Sequence, residues 1–163
     1  MLLDILTEPN PILRQKTKLM AVADLNMAPI KTLIADMLET MYQKDGVGLA
    51  APQIGESVRI CVISKKFNPL GDKKDLILIN PIWEKMSILK VWDEEGCLSV
   101  PKIYGKVKRY RKIRVKALDE SGRPIKFLTE GFPARVIQHE VDHLDGILFI
   151  DKAKDLHQIQ ESL

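Results

Sequence analysis

Apolar residues recur at helical spacing between Leu25 and Lys44. Ile30, Leu33, Ile34, Met37, Leu38, Met41 and Tyr42 follow the i, i+3, i+4, i+7 pattern of one buried stripe. This predicts an amphipathic helix, with Asp24 or Asn26 as its cap and Asp45-Gly46 at its exit, Gly46 serving as terminator. Residues 1–25 carry no such period, and Pro9-Asn10-Pro11 predicts a turn. Downstream the period shortens. Strands are predicted near Val58–Ser64, Asp75–Ile79, Lys85–Leu89, Gly105–Tyr110, Ile113–Leu118 and Pro124–Leu128, with Ser121-Gly122 as a hairpin turn. A second helix is predicted over Phe132–Leu144, with Pro133 in its first turn and Asp145-Gly146 after its end. A brief strand at Ile147–Ile150 follows, then a short helix over Lys154–Leu163 with Leu156, Ile159 and Leu163 on one face. Two principal helices among mainly antiparallel strands predict an α+β fold.

Composition narrows the class. The chain has 163 residues, 45% apolar and 29% charged, which suits a single domain over 1–163 with its own core. No run of about 18 apolar residues occurs, so no membrane span is expected. Met1-Leu-Leu-Asp-Ile-Leu-Thr-Glu8 is too short and too acidic for a targeting signal, and two cysteines suit a reducing compartment. The expected location is therefore cytoplasmic. A net charge of +3 points to no specific nucleic-acid partner.

The polar positions of the second helix carry the chemistry. His139-Glu140-Val141-Asp142-His143 reads His-Glu-x-x-His. At four-residue spacing both rings leave one helix face and can grip one metal ion, and Glu140 between them is placed to take a proton from water. A catalytic metal site needs three protein ligands and one open position. Asp145, Asp151, Asp155 and His157 downstream do not fit the extended His-x-x-Gly-x-x-His pattern. Cys97, in the aperiodic stretch Glu94-Glu95-Gly96-Cys97-Leu98-Ser99, is the better candidate. Taken alone it fits a small buried hydrophobe better than a ligand. Cys61, among apolar neighbours in Val58–Ser64, reads as a core strand residue. Two His and one Cys accept Zn²⁺, Fe²⁺, Ni²⁺ or Co²⁺ without choosing among them.

Three segments together carry a resemblance. Gly46-Val-Gly-Leu-Ala-Ala-Pro-Gln53, Glu95-Gly-Cys-Leu-Ser99 and Gln138-His-Glu-Val-Asp-His-Leu144 resemble the three motifs of the peptide deformylase family, in that family's order and at similar separations. The resemblance implies that sheets pack around a central metal-binding helix. It implies Cys97, His139 and His143 as metal ligands and Glu140 as acid/base. Gln53 and the backbone N–H of Leu98 would hydrogen-bond the substrate carbonyl, and Gly48 would let the chain approach closely. Backbone near Val47 and Gly96 would pair with an extended peptide, while Val47, Phe132 and Val136 would receive a methionine side chain. The implied substrates are N-formyl-methionyl nascent peptides, with Fe²⁺ in cells and Zn²⁺, Ni²⁺ or Co²⁺ in purified protein. Some relatives dock on the ribosome through a basic C-terminal extension. Here 152–163 is short and barely basic, so at most a transient ribosome contact is expected. Tyr104 stands where some members have Arg. Arg135 stands where some have an apolar residue, and it reads as a solvated helix position. Glu95 and Arg109 are candidates for a bracing ion pair.

Overall fold

A computed structural model describes residues 1–159. The first helix, α1 (Ala28–Gln43), buries Ile34, Met37, Thr40 and Met41. Its N-cap is Met27, with no side-chain cap. Neither Asp24 nor Asn26 caps it; Pro29 in the first turn sets the start instead. The left-handed residue after the helix is Asp45 (φ 54), not Gly46, whose N–H closes onto the Met41 carbonyl at 2.9 Å. Seven strands follow before or around the second helix: β1 (Gly48–Ala50), β2 (Ile60–Ile63), β3 (Leu76–Lys85), β4 (Lys90–Cys97), β5 (Val100–Tyr110), β6 (Lys112–Leu118) and β7 (Pro124–Glu130). Then come α2 (Gly131–Leu144) and β8 (Lys154–Gln158). Among these strands every ladder is antiparallel. The α+β expectation therefore stands.

The strands form two sheets, one ordered β1-β2-β3-β6-β7 and one ordered β4-β5-β8. The apolar side of α2 (Ala134, Ile137, Val141 and Leu144) packs on Cys61, Ile63, Leu78, Ile113 and Val115 of the larger sheet. A second cluster joins α1 to the opposite face of that sheet through Met37, Met41, Leu49, Ile60 and Val62. The helix with the His-Glu-x-x-His pentad is thus anchored along one stripe, and its other face meets the smaller sheet. Among the described residues no helix is long and apolar enough to cross a membrane.

Several boundaries differ from the sequence reading. β3 runs past Ile79 to Lys85 because Asn80 (φ 53) makes a bulge there. Pro81 has no N–H to lose at that irregularity, and the Asn80 side chain bonds both Met20 N–H and Met20 C=O. Met86–Leu89 is a connection, not a strand. The Ile147–Ile150 strand is replaced by a tight turn over Phe149–Asp151, closed by Asp151 accepting from the Leu148 N–H. The predicted C-terminal helix is strand β8 over 154–158, and residues 160–163 of that prediction lie outside the described residues. β8 forms because β5 offers it a partner: Tyr104 lies opposite His157 and Lys106 opposite Lys154. Helical periodicity carries no information about such pairing.

Candidate active site

Helix α2 presents His139 and His143 one turn apart, with Nε2 to Nε2 at 3.2 Å. Cys97, at the last position of β4, brings its Sγ to 3.2 Å from His143 Nε2. The three ligand atoms lie within 4.8 Å of one another. Tetrahedral coordination by one sulfur and two imidazoles has donor–donor edges of about 3.3–3.6 Å, so the donor set fits a transition metal. The chain holds a potential metal-binding site. His139 Nδ1 bonds Glu95 Oε1 at 2.8 Å, which turns Nε2 inward. Burial and the neighbouring His139 hold His143 well below its usual pKa, so it is neutral, as a ligand must be. Burial disfavours charge on His139 too. The Cys97 sulfur and the Glu95 carboxylate outweigh that and push its pKa up.

Glu140 lines the same cleft as Cys97 and His139. It is buried, its Oε2 has no hydrogen-bond partner, and burial pushes its pKa up to about 7. The β1 backbone passes over it at Gly48. A Cβ there would fall 2.6 Å from Glu140 Oε1, so only glycine leaves the carboxylate room.

The polar side of α2 contains more than sequence reasoning found. Glu95 sits between two buried arginines. Arg109 grips it with Nε and Nη2 at 2.9 Å each, and Arg135 Nη1 reaches it at 2.6 Å. Arg109 Nη1 continues to Asp142 at 2.6 Å, and Lys152 Nζ reaches Asp142 at 3.0 Å. Burial alone would raise the Glu95 carboxyl, but Arg109 and His139 hold it well below the usual carboxylate range. The Glu95–Arg109 pair is present as expected. The reading of Arg135 as solvated is wrong: it is buried and also donates to the Val107 and Val91 carbonyls at 2.9 and 2.7 Å. It lies one turn before His139, so it clamps the helix to β4 and β5 beside the ligands. The signal was available in the spacing: 135, 139 and 142 share one helix face.

Gln53 is almost fully buried between β1 and the Cys97 segment. Its Oε1 accepts from the Ala50 N–H at 2.9 Å, which fixes which end is the amide nitrogen. Nε2 donates to Ser99 Oγ at 3.1 Å and stands 3.5 Å from Cys97 Sγ. A cleft of about 430 Å³ opens onto this group, within the usual range for small-ligand sites. All of the sequence-predicted residues except His143 line it: Val47, Gly48 and Gln53 on one bank, Gly96, Cys97 and Leu98 on the other, with Phe132, Val136, His139 and Glu140 from α2. His143 lies directly beneath, held to Cys97 and His139. Both banks are sheet edges. Among the described residues β1 pairs only with β2, and β4 only with β5.

An α+β scaffold carrying a His-Glu-x-x-His helix, with a strand-borne thiol turned toward it, defines a class of hydrolase. Comparison with known proteins makes this specific. The family model for polypeptide deformylase matches residues 2–158. Peptide deformylase 2 of Vibrio cholerae is 47% identical over 159 residues, 96% of this chain and 89% of that protein. The peptide deformylase of Desulfotalea psychrophila is 44% identical over 155 residues, 95% of this chain and 89% of that protein. A class I type b peptide deformylase of Acinetobacter baumannii, solved with Met-Ala-Ser bound, superposes with a TM-score of 0.87 at 35% identity, covering 93% of this chain and 98% of that one. The chain belongs to the polypeptide deformylase family, enzymes that remove N-formyl groups from nascent peptides.

Proposed function

We propose that residues 1–163 form one catalytic domain that hydrolyses the N-formyl group from the N-terminal methionine of new polypeptides, releasing formate and a free amine. The observation that carries this is the meeting of Cys97, His139 and His143 beside Glu140, in a cleft flanked by two unpaired strand edges. The relative solved with Met-Ala-Ser supports a peptide occupant. Cys97, His139 and His143 hold one divalent cation, Fe²⁺ in cells, with Zn²⁺, Ni²⁺ or Co²⁺ acceptable to the same donors. When bound, that ion supplies Lewis acidity, which acidifies water and polarises a carbonyl. Glu140 takes the proton from the attacking water and returns it to the leaving nitrogen. One Gln53 amide hydrogen goes to Ser99 and the other to Cys97 Sγ at 3.5 Å; that second, longer bond is the one exchanged for the formyl oxygen, which also accepts from the Leu98 backbone N–H as negative charge develops there. Glu95 keeps His139 in the tautomer that faces the ion. The peptide adds as a strand against the Val47–Gly48 and Gly96 edges. Its methionine side chain enters the space among Val47, Phe132 and Val136.

The enzyme works in the cytoplasm on nascent chains, where reducing conditions preserve the Cys97 thiol, with at most a transient ribosome contact. Formate release from formyl-Met-Ala-Ser, compared with acetyl-Met-Ala-Ser and free Met-Ala-Ser, tests the reaction. Release from the formyl peptide alone is expected; internal cleavage without formate would refute it. Metal analysis of protein purified without oxygen tests the ion. Full activity with zinc and no gain with iron would refute Fe²⁺.

A further inference from the structure

The connection between β3 and β4 exposes apolar surface that the fold does not use. Ile88 is 91% exposed, the most open of the large apolar side chains among the described residues, and Met86 and Leu89 beside it are exposed as well. Single apolar residues on a surface are routine, but a cluster of them at one tip marks a contact site. The tip is firmly built. The Met86 N–H bonds the Lys112 carbonyl at 2.9 Å, and the Arg111 N–H bonds the Leu89 carbonyl at 3.0 Å. Ser87 Oγ accepts from the Leu89 N–H at 3.0 Å. Ile88 is therefore held out into solvent by hydrogen bonds on both sides.

Cations and aromatic rings surround this tip. Lys85 and Lys90, where the two strands enter and leave it, bring their Nζ atoms over the Tyr110 ring at 5.8 and 4.5 Å, and Tyr110 pairs with Trp83 at 5.8 Å. Arg111 and Lys112 hold it from the other side. Two positions into β4, the Trp92 ring lies under Lys154 Nζ at 3.9 Å and near Lys108 Nζ at 5.8 Å. Of the nearby acids, Glu84 is tied to Arg114 at 2.8 Å, Glu130 lies opposite Lys112 in the β6–β7 ladder, and Asp93 alternates to the other side of β4 from Trp92. The charge left around the tip is positive. A short apolar projection ringed by cations, with Trp and Tyr at its base, is complementary to an anionic bilayer surface. Its apolar atoms enter the acyl boundary, the rings sit at headgroup depth and the cations meet lipid phosphate. RNA fits less well, because Lys154 already covers the Trp92 ring and a base gains nothing from an exposed isoleucine. We propose that the tip at residues 86–89 docks this protein on negatively charged membrane surfaces, the charge that a cytoplasmic leaflet carries. Docking leaves the cleft free: Lys90 stands seven residues before Cys97, about 23 Å along an extended strand.

The test is flotation of the unaltered protein with phosphatidylcholine vesicles containing about 30% phosphatidylglycerol, and with vesicles of phosphatidylcholine alone, at about 0.1 M salt. Binding to the anionic vesicles and not to the neutral ones is expected. Ile88→Ser weakens it about 10-fold or more, the loss of one inserted aliphatic side chain. Lys85→Gln and Lys90→Gln weaken it about 5-fold each, the loss of one cation at the surface. All three side chains are exposed, so the unfolding midpoint stays at the parent value. Absence of binding to the anionic vesicles overturns the proposal, as does binding that survives Ile88→Ser undiminished or that falls only together with the unfolding midpoint. Binding of polyuridylic acid, or self-association in sedimentation, that depends on Ile88 in place of vesicle binding also overturns it and assigns the tip to RNA or to a second copy. Flotation needs no catalysis, so the result stands whether or not formate is released.

Discussion

The two faces of α2 are held by different physics. Toward the five-stranded sheet it offers Ala134, Ile137, Val141 and Leu144, which close on Cys61, Ile63, Leu78 and Val115 with no polar partner required. Toward the three-stranded sheet it offers Arg135, Gln138, His139 and Asp142, which meet Glu95, Arg109 and backbone carbonyls of β4 and β5. Burying one large apolar side chain stabilises by about 1.5–3 kcal/mol without fixing a direction. A buried ion pair gains little net stability, because desolvation offsets attraction, but it does fix directions. The contrast assigns the two sides separate tasks. The apolar face keeps the helix folded, and the ionic face sets where Cys97 stands relative to the two imidazoles.

Four substitutions can break this division or sharpen it. Glu140→Gln lies at the seam and should cost about 10²–10⁴-fold in turnover, with metal content and unfolding midpoint close to the parent; formate release and metal analysis on one preparation check it. Glu95→Ala acts on the ionic side. It leaves the buried Arg109 and Arg135 charges without their shared partner, costing about 3–5 kcal/mol, and frees His139 to turn, weakening metal affinity about 10–100-fold. Denaturant unfolding and metal titration would read both losses, and retained affinity would show that the network does not position the ligands. Ile137→Ala, on the apolar side, should cost about 2–5 kcal/mol while the folded fraction keeps its metal and its kcat/KM. A matching loss of metal affinity would erase the distinction between the faces. Cys61→Ala should cost about 1 kcal/mol and leave metal stoichiometry at one, since this thiol is fully buried in β2 and burial pushes its pKa up.

What could be read from sequence and what could not divides along the same line. The helix with Pro133 in its first turn, the α1 stripe and the Ser121-Gly122 hairpin are local patterns, and all three are present. The bulge at Asn80 and strand β8 escaped notice because each depends on a distant partner, Met20 in one case and β5 in the other. The helical spacing of Arg135 puts it on the face of His139 and Asp142, but no local pattern names the distant groups that receive its charge. Glu95, 40 positions away, and the Val91 and Val107 carbonyls make its burial tolerable.

The order and spacing of residues by themselves determined the α+β class, the pair of imidazoles on one helical face, the carboxylate between them, and Cys97 as the candidate third donor. These follow from 3.6-residue periodicity and the donor chemistry of side chains, which act within a few residues. Tertiary structure alone decided that the sulfur lies 3.2 Å from His143, that Glu95 orients His139 between two arginines, and that a C-terminal strand pairs with β5. Most of those arrangements join positions 40 or more residues apart, the Glu95–Arg109 pair 14 apart across a hairpin, and their geometry is fixed by sheet register and burial, which no local pattern encodes.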